Sequence, residues 1–433
     1  MNGRIRTVAF VALVCFAVLG LQLANLQVRQ APNLRQSADN PSTGNIDPFE
    51  QDRGDILSRN GTVLAYSSPT KDGYHYLRRY PLGSLFADIT GYWDVTASAA
   101  PYGLDAETGQ YNHFLAPHTP SITNLQSILT QLSGTDSLVT TLSVRLQQVA
   151  QQALGSYDGS VVAIDPQNGD ILAMYSNPTY NPNGLSQPNA KAANAYYNSL
   201  NPASGSSPLI NGAIGLRYPP GSTFKVVTTA TIYDHDPSLE SIKIPYASEI
   251  SLPETNLLFH NFADESCGGV LANDLAVSCD TAYAKIGLML GARRLYEEAS
   301  AFGFNKAPPI DLPPSEVVPS VFPPPSAFKQ DLPGVAYSAI GQEDVAETAL
   351  QDALIAAGIA DNGTIMTPHL LSRVIDSQGS VVATYKPHPW LQATSQSTAG
   401  TVRTFMLGVT RYGTAAGLGW PAGLQVAAKT GTA

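Results

Sequence analysis

The run Thr7–Val28, TVAFVALVCFAVLGLQLANLQV, holds no charged residue over 22 positions. At about 1.5 Å rise per residue it can cross a hydrocarbon core of about 30 Å, and such a segment confines everything after it to one side of a bilayer. No A-x-A-like cleavage site follows it, and a buried core helix seldom sits directly behind two arginines (Arg4, Arg6) at a chain start. The reading is therefore an uncleaved single-span anchor over 7–28 behind a short stub, 1–6, rather than a signal peptide or a core helix. Charge alone leaves the orientation open, since Arg29 and Arg35 nearly match Arg4 and Arg6.

A formal net charge of -10, with no basic run longer than the pairs Arg78-Arg79 and Arg293-Arg294, excludes a nucleic-acid partner. The seven His are scattered, and H-E-x-x-H, P-loop and G-x-G-x-x-G patterns are all absent. No metal or other cofactor is called for. Cys15 falls in the apolar run without a lipid-attachment box around it. Cys267 and Cys279 can form a disulfide if the bulk of the chain lies outside the cytoplasm; two independent buried thiols are the alternative.

Past a polar linker, RGDILSRNGTVLA (Arg53–Ala65) sets two short apolar runs around Arg59-Asn60-Gly61, a hairpin signal. Residues 29–137 form a smaller domain. A second domain, 138–433, begins with helical periodicity over Leu142–Leu154 and a strand-turn-strand pattern over Ser160–Pro178. Val345–Gly363 predicts a core helix with an Asn-Gly cap. Eight prolines between Pro308 and Pro325 predict a surface loop.

The chemistry concentrates in RYPPGSTFKVVTTATIYDH, Arg217–His235. Pro219-Pro220-Gly221 is a turn, and the helix that follows sets Ser222 and Lys225 one turn apart on one face. That is a nucleophile with a base, at a helix N-terminus that favours a developing anion. The tetrad alone is weak: S-x-x-K occurs three times, at Ser68, Ser222 and Ser326, where composition alone gives about one. Only Ser222 has a turn before it and a helix after it. Two further pieces follow in order, Ser278-Cys279-Asp280 and Lys429-Thr430-Gly431-Thr432.

The ordered set S-x-x-K, S-x-N-like, K-T-G resembles that of the penicilloyl-serine transferases. With the long second gap and the anchored N-terminal part, the whole chain resembles a class B penicillin-binding protein. RGDILSRNGTVLA is similar to that family's pedestal motif; YPPGSTFK, AIGQEDVAETALQDALIAAGIADNG and AAKTGTA are similar to its catalytic domain. The resemblance implies an α+β fold: an antiparallel sheet flanked by helices, serine β-lactamase-like, behind a dimerisation-like pedestal and a membrane anchor. It implies a peptidoglycan D,D-transpeptidase, inhibited by β-lactams, on the extracytoplasmic side of the cell membrane.

By position it implies that Ser222 attacks D-Ala-D-Ala of a stem peptide and that Lys225 is the base. Ser278 relays a proton, and Lys429 holds its hydroxyl. Thr430, Gly431 and Thr432 bind the substrate carboxylate, and the N–H groups of Ser222 and Thr432 make the oxyanion hole. A lipid-linked glycosyltransferase is the implied companion. The rivals are a D,D-carboxypeptidase or β-lactamase, in which water resolves the acyl-enzyme, and an inactive scaffold or β-lactam sensor.

Two departures matter. Asp280 stands where the family has Asn; an ionised aspartate only accepts hydrogen bonds. At about 4 Å and an effective dielectric near 20 it contributes roughly 4 kcal/mol, enough to raise the Lys225 pKa and oppose its role as base. The expectation is a tolerated salt bridge with reduced activity. Secondly, the family continues past K-T-G into further strands and a helix, whereas this sequence ends there, so it is expected to be a fragment with an incomplete sheet.

Overall fold

A computed structural model describes residues 52–71, 75–93, 102–106, 109–117 and 134–432, with 10, 13–19 and 22. Most of the expected membrane span lies outside the described residues; of it, 13–19 are helical and exposed. No described helix is long and apolar enough to cross a membrane.

The predicted hairpin forms strands Ile56–Leu57 (β1) and Val63–Pro69 (β2), turning at Gly61 with φ +79°. Tyr76–Arg79 (β3) adds to β2, and Ser137–Thr140 (β4) adds to β1 in parallel. Leu371–Ile375 then pairs antiparallel with β4, and Val381–Thr384 closes a six-stranded sheet. The N-terminal and C-terminal parts thus share one sheet, and the boundary at 137/138 falls inside β4. Gly54 is required beside it, since a Cβ there would lie 1.9 Å from the Asp136 carbonyl oxygen.

Arg53 of the same motif is buried. Its Nε meets Asp105 Oδ1 at 2.6 Å, and Arg78 Nε meets Oδ2 at 2.6 Å. Tyr80 donates its hydroxyl to Oδ2, and the Arg53 guanidinium lies 3.9 Å over Trp93. Burial alone would raise the Asp105 carboxyl, yet Arg78 and Arg53 together hold it below its ordinary pKa.

In the second part the periodic segment becomes helix Val144–Leu154 (α1), N-capped by Ser143. The strand-turn-strand pattern becomes the hairpin Gly159–Ile164 (β5) and Ile171–Asn177 (β6), on which α1 packs. Helix Lys225–His235 (α2) is buried along most of its length, and its threonines return bonds to their own helix, as Thr229 Oγ1 does to the Lys225 carbonyl at 2.7 Å. Around it lie Leu271–Ala276 (α3), Asp280–Ala301 (α4), Leu332–Ser338 (α5), Ala349–Ala360 (α6) and Gln396–Arg411 (α7). One continuous core joins these helices to the first part.

Two expectations are corrected. The proline-rich stretch is no surface loop: Ile310, Leu312, Val317 and Phe322 are buried in it, and its carboxylates brace the two parts. Asp311 accepts from Tyr111 Oη and from the Leu370 and Leu371 N–H groups, while Glu316 accepts from Gly103 N–H at 2.8 Å. Proline removes donors, not apolar surface, so the segment packs without regular structure. The K-T-G segment, which the resemblance makes a strand of the catalytic sheet, is not a strand here; Ala428 N–H donates to the Met406 carbonyl of α7 instead.

Candidate active site

Ser222 sits in the single 3-10 turn Gly221–Phe224 that opens α2. The turn is pinned beneath by Phe224, fully buried, stacked on Phe322 and edge-on to Phe304 with centroids 5.4 and 5.5 Å away. It is held from the side by the Gly221 N–H to Gly341 carbonyl bond. Ser222 faces a cleft of about 1120 Å³, walled also by Ser278, Asp280, Thr430 and Thr432.

Lys225, one turn further, has no exposed surface. Its Nζ donates to Asp280 Oδ1 at 2.6 Å, to the Ser278 carbonyl at 2.8 Å and to Ser278 Oγ at 3.3 Å. Among the described residues no hydrogen bond joins it to Ser222 Oγ. Lys429 Nζ reaches Ser278 Oγ from the other side at 2.8 Å. A hydroxyl has two lone pairs and one proton, so two ammonium donors leave the Ser278 proton free to point into the cleft.

Burial lowers the Lys225 pKa and Asp280 only partly offsets it, so the net direction is opposite to the rise expected from Asp280 alone. The cause is desolvation of a fully enclosed ammonium. Lys429 is brought down to about 7, first by burial and then by repulsion from Lys225, with Asp280 opposing. The expected salt bridge is present, and it is better matched than the sequence suggests. Asp280 Oδ1 accepts from Lys225, and Oδ2 accepts from the Phe262 N–H at 3.3 Å.

Thr430 Oγ1 lies 2.6 Å from Thr414 Oγ1. Gly431 lets the segment approach the nucleophile's turn, since a Cβ there would lie 3.0 Å from the Pro220 carbonyl oxygen. Ser278 has φ +59°, and Cys279 beside it is disulfide-bonded to Cys267, with Cα atoms 5.7 Å apart. All ten residues singled out in the sequence therefore gather in or against one cleft. Sequence reasoning missed Tyr246, Phe262, Tyr337 and Tyr412 on its walls and Asn261, whose Oδ1 accepts from Thr281 N–H at the start of α4. Tyr246 lies on the strand Lys243–Ala247, Tyr337 on α5, Tyr412 at the end of α7, and Asn261 and Phe262 at a short 3-10 turn; none of these segments carries a motif to read. Among the described residues no group of three His, Cys, Asp or Glu could hold a metal ion.

Residues 159–433 match the penicillin binding protein transpeptidase domain, and residues 53–138 match the penicillin binding protein A dimerisation domain. Peptidoglycan D,D-transpeptidase PbpA of Mycolicibacterium smegmatis is 33% identical over 452 residues, covering 100% of this chain and 87% of that protein. PbpA of Mycobacterium tuberculosis is 31% identical over 455 residues with the same coverages, 100% and 87%. The crystal structure of M. tuberculosis PBPA superposes with a TM-score of 0.77 at 31% identity, over 88% of this chain and 86% of that one. Its imipenem acyl-enzyme complex gives 0.77 at 30% identity, over 89% and 87%.

Proposed function

This chain belongs to the penicillin-binding protein transpeptidase family, and from that premise we propose that it is a class B peptidoglycan D,D-transpeptidase and a β-lactam target. The observation that carries the reading is the convergence of Lys225 and Lys429 on Ser278 Oγ beside the Ser222 turn.

In the proposed reaction the Ser222 hydroxyl oxygen attacks the carbonyl between the two terminal D-alanines, and its proton passes to neutral Lys225. The C–O bond forms, and the tetrahedral oxyanion is held by the Ser222 and Thr432 N–H groups, each such donor being worth a few kcal/mol of barrier. As the C–N bond breaks, the Ser278 proton goes to the leaving amine and is replaced from Lys225 at 3.3 Å. An amine of a neighbouring stem peptide then attacks the acyl-enzyme, giving the cross-link and restoring Ser222. Lys429, Thr430 and Thr432 receive the substrate carboxylate, whose charge the Lys429 ammonium complements.

The membrane anchor at 7–28 and the extracytoplasmic placement complete the proposal, supported by the uncharged run and by the location of peptidoglycan. The companion is a lipid-linked glycosyltransferase, supported by the family resemblance alone. The test is covalent labelling by fluorescent penicillin of the wild-type chain and of Ser222→Ala. A stable label that vanishes in the variant is expected; a label that survives it overturns Ser222 as the nucleophile.

A further inference from the structure

We propose that the Cys267–Cys279 bridge is the positioning element for Ser278 and Asp280, so that its redox state sets how fast Ser222 is acylated. The inference rests on the transpeptidase reading above. Cys279 lies between Ser278 and Asp280 and is 1% exposed. Cys267 opens the strand Cys267–Val270 (β8), which pairs antiparallel with Lys243–Ala247 (β7) and lines the same cleft.

The segment the bridge closes, 12 residues long in sequence separation, contains α3 and ends on the Ser278–Asp280 triad. Ser278 holds a left-handed backbone that a non-glycine residue keeps only when its surroundings impose it. Two restraints, Ser278 N–H to the Leu275 carbonyl and Cys279 N–H to the Asp274 carbonyl, come from α3 and move with the segment. Outside it, Thr281 N–H is held by Asn261, and the bridge ties Cys279 covalently to the β7–β8 ladder. Both lysine contacts of Ser278 and the carboxylate of Asp280 hang on this short stretch, and misplacement by about 1 Å can cost two orders of magnitude in rate.

Reduction is a two-electron step with a dithiol as reductant. Its thiolate attacks Cys267 Sγ and the S–S bond breaks; Cys279 leaves as a thiolate and takes a proton. The reductant's second thiol then displaces Cys267 as its thiol and ends as a disulfide. Cys267, 9% exposed against 1% for Cys279, is the sulfur that faces the cleft. Cys267 and Ser222 line the same cleft, so a ligand attached to Ser222 is expected to slow reduction.

The experiment measures the rate of fluorescent-penicillin labelling of the full chain before and after a dithiol. Thiol counting registers the change from one free cysteine to three, since the chain holds three in all. Thermal melting and amide hydrogen exchange over 277–282 are followed in parallel. Reduction is expected to slow acylation by at least about 10-fold, to speed exchange of the Ser278–Thr281 amides and to leave a cooperative melt; reoxidation restores both rates. A Cys267→Ser/Cys279→Ser variant should match the reduced form, and penicillin-acylated protein should be reduced more slowly than free protein. Equal acylation rates in the two redox states overturn the proposal. So does loss of the melt on reduction, which makes the bridge a general staple. If the oxidised protein takes no label, the transpeptidase reading itself fails, and exchange decides the bridge's role: unchanged protection over 277–282 overturns it.

Discussion

At Asp280 both carboxylate oxygens face donors, the Lys225 ammonium and the Phe262 N–H. An asparagine can serve only one of them with its oxygen. Asp280→Asn is therefore expected to lower the melting temperature and, by removing a negative charge that raises the Lys225 pKa, to move the rising limb of the acylation pH profile to lower pH. An unmoved limb would show that Asp280 does not restrain the base. Lys429, brought to about 7, loses its charge as pH rises through that value. Attack on carboxylate-bearing substrates is expected to fall above pH 7, and Lys429→Arg, charged throughout, should abolish that falling limb even if its overall rate is lower. The sign for stability is the reverse: between about 7 and 10.5 the unfolded chain holds a proton that folded Lys429 has released, so this residue adds stability as pH rises.

At the scale of elements, the Ser222 turn is pinned beneath by Phe224 as well as held by the Gly221 N–H to Gly341 carbonyl bond. Phe224→Ala empties the space between Phe304 and Phe322; a loss of about 3–5 kcal/mol in urea unfolding is expected, with weaker penicillin labelling. In the first part, Asp105→Ala leaves two buried guanidinium groups without their carboxylate, and a similar loss of about 3–5 kcal/mol is expected. These elements were legible in different degrees. Helix α1, the β5–β6 hairpin and α6 declared themselves by periodicity and caps, and Ser222, Lys225, Ser278 and Lys429 by ordered motifs. The burial of Pro308–Pro325 was hidden because its partners, Gly103, Tyr111 and Leu370, are remote in sequence. The net fall in the Lys225 pKa was hidden because enclosure by α2, α3 and α4 is a property of packing, whereas the charge of Asp280 can be read from one letter.

At the scale of the molecule, buried carboxylates join the two parts. Asp88 accepts from Ser176 N–H at 3.1 Å, and burial raises it to about 8; Glu316, bound to Gly103 N–H, is raised by burial to about 7. The folded chain keeps protons there that the unfolded chain releases near 4, so these groups reduce stability as pH climbs from about 4 to about 8, with no further change above. Urea midpoints across that window should fall less steeply in Asp88→Asn/Glu316→Gln than in wild type; equal slopes would place the proton uptake elsewhere. The same links and the shared six-stranded sheet have a mechanical consequence. A pull on the pedestal is shared among β4, Tyr111–Asp311 and Gly103–Glu316 and reaches the catalytic part across a broad front. The two parts should carry load as a single stiff body, giving way in one rupture event under tension rather than swivelling about a joint.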